Sequence, residues 1–250
     1  MILYSHVVAV DTGLAPNPFH DYCTSAVCTP SHMECKANEG NWLIGHSPKK
    51  DGHRLVYAML ILKRLTMDVY FNHPDFQCKK PVLDGKPEQQ CGDNLYYRND
   101  ANQWKRLPSR FHNHPENFIK DVGADLSGHP VFVSDHFYYF GRNRVEIPDF
   151  LQGVIQGRHG IKGPNKISSR LAEEFVQWLG DNNKDYYKPR NPQPKDFADH
   201  SGDSGPLLTG IYTAWEEDGS GQGKNERDQG CRPSSQPISA KMRGNGERCR

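Results

Sequence analysis

The sequence predicts an α+β fold: a mixed or antiparallel sheet, or a small barrel, with a few flanking helices. Short apolar runs of strand length are scattered along the chain, and only one long segment carries a clear helical period. The strands and helices do not alternate in the βαβ rhythm that builds a doubly wound sheet. No glycine-rich phosphate loop follows the first strand, as a dinucleotide fold would require.

Ile2–Val10 alternates well enough for a strand and runs into DTGLAPNPFHDY, where Pro16 and Pro18 exclude regular structure. Trp42–Gly45 and Leu55–Leu62 read as further strands, the second almost continuously apolar and therefore central. Thr66 is placed to cap a short helix through Phe71. From Gln77 to Asp125 the chain is polar and turn-rich, with short strand candidates such as Leu95–Tyr97. Val131–Ser134 and Phe137–Phe140 read as two strands of a hairpin. A helix over Asp149–Gln156 follows Pro148, which suits the first turn. The clearest helix spans Lys166 to Leu179, with Ile167, Leu171, Phe175, Trp178 and Leu179 on one face and Gly180 as the stop. Residues 1–187 read as the working domain and residues 188–218 as an irregular proline-rich extension. Residues 219–250, rich in Gly, Ser and charge, read as a disordered tail.

Composition bounds the function. With 35% hydrophobic residues and a mean hydropathy of −0.81, the 250-residue chain is polar for a globular protein. Its 31 basic and 30 acidic residues leave a net charge of +1, so any nucleic-acid surface is a local patch rather than a basic coat. No apolar stretch approaches the ~20 residues of a spanning helix. The opening MILYSHVVAVDTG has no cationic leader or cleavage site, which predicts a cytoplasmic protein. Seven cysteines at irregular spacing give neither paired CxxC units nor an even framework, and read as free thiols.

Two short motifs are set aside. HSGDSGPLL (His200–Leu208) resembles the nucleophile segment of chymotrypsin-like proteases but lacks a glycine that shapes the oxyanion hole, and reads as a Gly/Ser loop. His32-Met33-Glu34 fits the HxE of zinc deaminases without the PCxxC that must accompany it, or the HxD/E of iron oxygenases, which also needs a distal His ligand, and reads as a chance match. No metal or cofactor is expected.

The informative constellation follows the first strand. Asp11-Thr12-Gly13, then Ala15-Pro16-Asn17-Pro18-Phe19 and Tyr22-Cys23-Thr24, place a carboxylate, an amide and two aromatics on a loop stiffened by two prolines. Five segments in order, DTGLAPNPFHDYCTSAVCTP, GNWLIGHSP, LVYAML, CGDNLYYRND and VFVSDHFYYFG, together resemble the second of the nucleotide-modification-associated domain families. The resemblance covers roughly residues 2 to 141, with Asn41 and His20–Asp21 as departures from it. The family accompanies enzymes that make, oxidise or decorate DNA bases, so the resemblance implies DNA carrying modified bases, double- or single-stranded, as the partner. No obligatory protein partner is evident. GNWLIG and the apolar strand after it are similar to small modules that read flipped modified bases, which makes a PUA-like barrel the barrel form expected.

Under that reading, excision of a base needs a carboxylate near the anomeric carbon and a pocket that grips an extruded base. Asp11 is the candidate catalytic carboxylate and Asn17 the amide that positions water or base. Phe19, Tyr22, Trp42 and Tyr138 are candidate stacking walls, and Asp93 and Asn94 candidate readers of the base edge. For the DNA backbone, the stretch from Arg142 to Arg170 carries six basic residues (Arg142, Arg144, Arg158, Lys162, Lys166, Arg170) against two acidic ones, with Lys79 and Lys80 as an extension. Three functions follow: a DNA glycosylase that removes a bulky modified base such as glucosylated hydroxymethylcytosine from phage DNA, a non-catalytic reader of modified bases working with a modification or restriction system, and a base-modifying transferase. The glycosylase is preferred, because it explains a carboxylate without a cofactor motif.

Overall fold

The computed structural model describes residues 1–28, 36–112, 114–126, 130–156, 161–190 and 192–196. The HxE segment, Arg158 and HSGDSGPLL lie outside them. Within them the strands are β1 (Leu3–Val7), β2 (Cys23–Ser25), β3 (Trp42–His46), β4 (Leu55–Leu60), β5 (Lys63–Leu65), β6 (Tyr96–Arg98), β7 (Trp104–Arg106), β8 (Val131–Ser134), β9 (His136–Tyr139) and β10 (Ile161–Lys162). The helices are α1 (Met67–Asn72), α2 (Pro87–Gln90), α3 (Phe118–Asp125) and α4 (Ser169–Asn182), and several 3-10 turns join these elements. The class is the α+β expected, but among the described residues no sheet closes into a barrel.

The main sheet is open and mixed, in the order β10-β1-β3-β4-β9, with β1 parallel to β3 and the other pairings antiparallel. A second sheet, β2-β8-β5, is antiparallel, and β6 and β7 form a separate ribbon. The continuously apolar β4 lies between β3 and β9 with both faces covered, which is why it does not alternate. Leu55, Ala58 and Leu60 face the layer that holds α4; Val56 and Met59 face the second sheet.

Helix α4 begins three residues later than the period predicts, because Ser168 Oγ accepts from Leu171 N–H at 3.2 Å and caps it there. Lys166 and Ile167 are instead turned onto the Gly163 carbonyl. Gly180 is not a stop, and the helix continues to Asn182. Its apolar face, Ala172, Phe175 and Leu179, is fully buried against the sheet. Thr66 caps α1 as its position requires. The Asp149 segment is a 3-10 helix ending at Val154, with Pro148 as its cap.

The expected hairpin of Val131–Ser134 with Phe137–Phe140 does not form. β8 pairs with β2 and β5, whereas β9 pairs with β4. The chain crosses from one sheet to the other at Asp135, and Phe132, Phe137 and Tyr139 meet between the sheets. This crossing puts Tyr139 on one side of the main sheet and Tyr138 on the other. Packing continues past Tyr187: residues 192–196 lie as a strap against Asp11, Gly141 and Arg142. Cys23, Cys28 and Cys91 are free thiols as expected, but Cys78 is in a disulfide, which corrects the all-thiol reading. Among the described residues no helix is long and apolar enough to cross a membrane.

Candidate functional site

The loop after β1 is held from below by a buried polar network. Asn17 and Thr24 exchange backbone hydrogen bonds of 2.8 and 2.9 Å, closing the loop on itself. The Asn17 side chain reinforces this closure. Its Nδ2 donates to the Cys91 carbonyl at 2.7 Å, and Oδ1 accepts from Lys79 Nζ at 2.7 Å and from Phe19 N–H at 3.3 Å. Lys79 is fully buried and also donates to the Asn17 and Tyr22 carbonyls at 3.1 and 2.7 Å. Burial pushes its ammonium down to about 8, against the charge of Asp93. Asp93 accepts from Thr24 Oγ1 at 2.6 Å and Tyr70 Oη at 2.7 Å, and Asn94 Nδ2 donates to the Tyr70 and Phe76 carbonyls. Asn17 and Asp93 are therefore occupied in holding the loop, Asn94 ties its Nδ2 to the α1 end while its buried Oδ1 has no hydrogen-bond partner, and Lys79 belongs to no surface patch. Between Asn17 and Tyr22, His20 and Asp21 both take left-handed backbone (φ 57° and 64°) and turn the chain outward, a conformation that His and Asp tolerate better than most residues.

Asp11 is fully buried, with Tyr139 Oη donating to both carboxylate oxygens at 3.1 Å. Its backbone is clasped by the strap: Asp11 N–H donates to Asp196 Oδ2 at 2.8 Å, and Asp196 N–H donates to the Asp11 carbonyl at 2.9 Å. Burial raises the Asp11 carboxyl to about 6, opposed by the Arg144 charge, the Tyr139 hydrogen bond and the Gly13 N–H. A carboxyl raised from 3.8 to about 6 binds its proton more tightly folded than unfolded. Its stabilising share is complete below pH ~4 and is lost as pH rises through 6. Asp11→Asn keeps the neutral form at every pH. We expect it to match the wild type near pH 4 and to exceed it by up to about 3 kcal/mol at pH 7.5, the scale of a two-unit shift. Paired thermal melts across that range check this, and a constant difference between the two proteins would contradict it.

In front of this network lies a cleft of about 830 Å³, whose walls include Phe19, His20, Asp21, Glu88, Arg142, Lys188, Arg190 and Pro192–Pro194. Its lining carries three cations, Arg142, Lys188 and Arg190, and two carboxylates, Asp21 and Glu88. His20 has no hydrogen-bond partner on Nε2, and burial lowers its pKa, favouring the neutral ring. Gly13 sits directly behind the wall: a Cβ there would come within 2.6 Å of Pro194, 3.0 Å of Phe19 and 3.2 Å of Cys91, at a φ of 79°. Since those three residues line the cleft, the Asp11 loop is separated from it by a single layer of side chains. The model of the nucleotide modification associated domain 2 family matches residues 1–200, which takes in the loop, its anchors, the cleft and the strap. The chain belongs to that family. No curated protein and no solved structure matches it.

Within this nucleotide-modification-associated domain, the residues singled out from sequence fall into separate places. Phe19 and Arg142 line the cleft, and Asp11 and Arg144 lie behind it. Tyr22 packs edge-on to Phe76 at 5.4 Å. Trp42 and Tyr138 face the α4 layer, across the main sheet from Asp11. There Trp42 meets His136 at 5.4 Å and Tyr138 meets Tyr187 at 5.2 Å, and neither Trp42 nor Tyr138 lines the cleft beside Phe19. Lys162 is tied to the Gly153 and Ile155 carbonyls, Arg170 to Glu174 at 2.8 Å, and Lys80 lies over the Phe71 ring at 3.7 Å, while Lys166 is exposed. The sequence reading missed Tyr139, Asp196, His20, Lys188 and Arg190. For Tyr139 a signal existed, since strand alternation separates it from Tyr138. For Lys188 and Arg190 the proline-rich context masked it.

Proposed function

We propose that this domain binds a nucleotide of DNA carrying a modified base in the cleft beside Phe19. The observation that carries the reading is the cleft itself. At about 830 Å³ it is within the range of sites that enclose a small ligand. It pairs an aromatic wall at Phe19 and an uncharged imidazole at His20 with three cations, Arg142, Lys188 and Arg190. A base extruded from the stack is gripped by such a wall through stacking, while its flanking phosphates sit against the cations. The family's association with nucleotide modification supports that choice of substrate class.

The test is binding of the purified chain to matched DNAs, unmodified, hydroxymethylated and glucosylated, followed by fluorescence anisotropy. We expect one modified DNA to bind best. If three phosphates are neutralised, affinity falls roughly 40-fold between 50 and 200 mM salt. Affinity indifferent to both modification and salt overturns the reading.

Hydrolysis of the N-glycosidic bond is a second reading, favoured by the position of Asp11 one layer behind the cleft wall with its carboxyl raised to about 6. In that reaction water adds to the anomeric carbon, the C–N bond breaks, and the base leaves with the bonding pair and takes up a proton. Asp11 would orient the water or stabilise the cationic sugar once the strap has lifted. Alkali-labile breaks confined to one modified DNA, and lost in Asp11→Ala, establish hydrolysis. Tight binding without breaks leaves the protein a reader.

A further inference from the structure

We propose that the Arg144 guanidinium and the Asp11 backbone N–H form a phosphate-binding site, which the carboxylate of Asp196 fills in the free protein. Arg144 lies two residues beyond Arg142 of the cleft wall, and its side chain is only 5% exposed. Yet none of its Nε, Nη1 and Nη2 atoms makes a hydrogen bond. Its one ion pair among the described residues is with Asp196 Oδ2, at 3.6 Å. A guanidinium offers five N–H donors in a fixed fork that matches two oxygens of a carboxylate or phosphate at once. Burying that fork without acceptors is costly unless something completes it.

The arrangement shows what would complete it. Asp196 Oδ2 already stands where an anion belongs, taking the Asp11 N–H at 2.8 Å while stopping short of the Arg144 fork. A backbone N–H beside a buried guanidinium is a general recipe for a phosphate oxygen. A phosphate presents more oxygens than Asp196 does, so it can keep the N–H bond and engage the fork together. The Asp11 carboxylate is engaged by Tyr139 with both oxygens. Access also fits: Asp196 is 15% exposed, and the strap that carries it lines the cleft at Pro192–Pro194. The strap is fastened by single contacts, Arg142 N–H to the Gln193 carbonyl at 3.0 Å, Arg142 Nε to the Pro194 carbonyl at 3.2 Å, and Lys195 to Asp51 at 4.0 Å. Asp196 thus acts as an internal competitor, displaced when a nucleotide phosphate enters. The identity of the phosphate's carrier rests on the nucleotide-binding reading above; the phosphate site does not.

The experiment is calorimetric titration of the full chain, at balanced ionic strength, with inorganic phosphate, deoxycytidine 5′-monophosphate and deoxycytidine. The wild type should bind the nucleotide more tightly than inorganic phosphate, and the nucleoside least. Asp196→Asn keeps an acceptor for the Asp11 N–H and removes the competing charge. We expect it to bind phosphate on the order of tenfold tighter, the scale of a like charge lost within a few ångströms of an anion. In the Arg144→Gln background that gain should vanish. Should the Arg144 variant fail to fold, Asp196→Asn alone decides. Unchanged or weaker phosphate binding in a folded Asp196→Asn protein overturns the proposal, because a merely structural partner gives that result. Equal affinity for phosphate and nucleotide overturns the link to the cleft. Binding of modified DNA without phosphate binding sinks this site and leaves the proposed function standing; the reverse outcome does the opposite.

Discussion

Lys79→Met is expected to destabilise the fold by about 3–5 kcal/mol, the range seen when one member of a buried charged network is removed. The side chain is fully buried and its three donors are spent on Asn17 Oδ1, the Asn17 carbonyl and the Tyr22 carbonyl. Methionine fills a similar volume, so the loss is not a cavity. It is the desolvation of the Tyr22 carbonyl left without a donor, of an Asn17 carbonyl reduced to its bond from Thr24 N–H, and of an Asp93 carboxylate left without the nearby cation. Urea denaturation measures it directly. A loss below about 1 kcal/mol would mean that Lys79 is not the keystone of the loop. The double variant Lys79→Met, Asp93→Asn should recover part of the loss, since no charge then remains buried there, and a double-mutant cycle isolates that coupling. Because Lys79 also holds Asn17 and Tyr22 on either side of Phe19, the single variant should weaken binding in the cleft more than its residual folded fraction explains.

How much of this was legible follows from the distances along the chain. The cap at Thr66, the apolar run of β4 and the apolar face of α4 are local patterns, and local geometry alone produces them. They came out nearly as read. The DTGLAPNPF loop was legible as a stiff, polar loop leaving a strand. Its meaning was not, because its partners stand far away: Lys79 is 62 residues from Asn17, Tyr139 is 128 from Asp11, and Asp196 is 185 from Asp11. A carboxylate next to a strand end looks the same in sequence whether it meets solvent or a tyrosine. Asn17 looked chemical for the same reason, and its three hydrogen bonds to the scaffold make it structural. The β8–β9 error has a different origin. A single residue, Asp135, separates two apolar runs, which reads as a hairpin, but Val131 and Val133 belong to one layer and Phe132 to the next. The chain changes sheets there, and only pairing partners elsewhere in the sequence decide that. The proline-rich strap failed the period test because extended chain without regular structure has no period, even when it forms one wall of a cleft.

Gly141→Ala should release that strap. Gly141 has a φ of 51°, and a Cβ there would stand 2.2 Å from the Gln193 carbonyl oxygen and 3.0 Å from its carbon. These are backbone atoms, so no rotamer change relieves the clash, and the left-handed conformation adds its own cost for alanine. The core gives no escape on the other side, where the Tyr139 ring lies 2.9 Å away and its hydroxyl is fixed on Asp11. The strap is the weaker party and is the part that should move, losing the Arg142 N–H bond to Gln193 and then the Asp196 clasp on Asp11. The expected result is a protein that keeps its global fold, because none of residues 192–196 is among the members of the buried clusters between the sheets and α4, but that opens locally at 192–196. Amide exchange reads this residue by residue: protection at Asp11 and Arg142 should drop by at least about a hundredfold, roughly 2–3 kcal/mol of local opening, while protection in β3 and β4 stays unchanged. Uniform loss of protection across the sheet would mean that the strap is integral to the fold. If the local pattern appears, the same variant should bind inorganic phosphate more tightly than the wild type, since the Asp196 carboxylate would have left the Arg144 fork. Two substitutions of unrelated chemistry, one steric at Gly141 and one electrostatic at Asp196, would then converge on the same site.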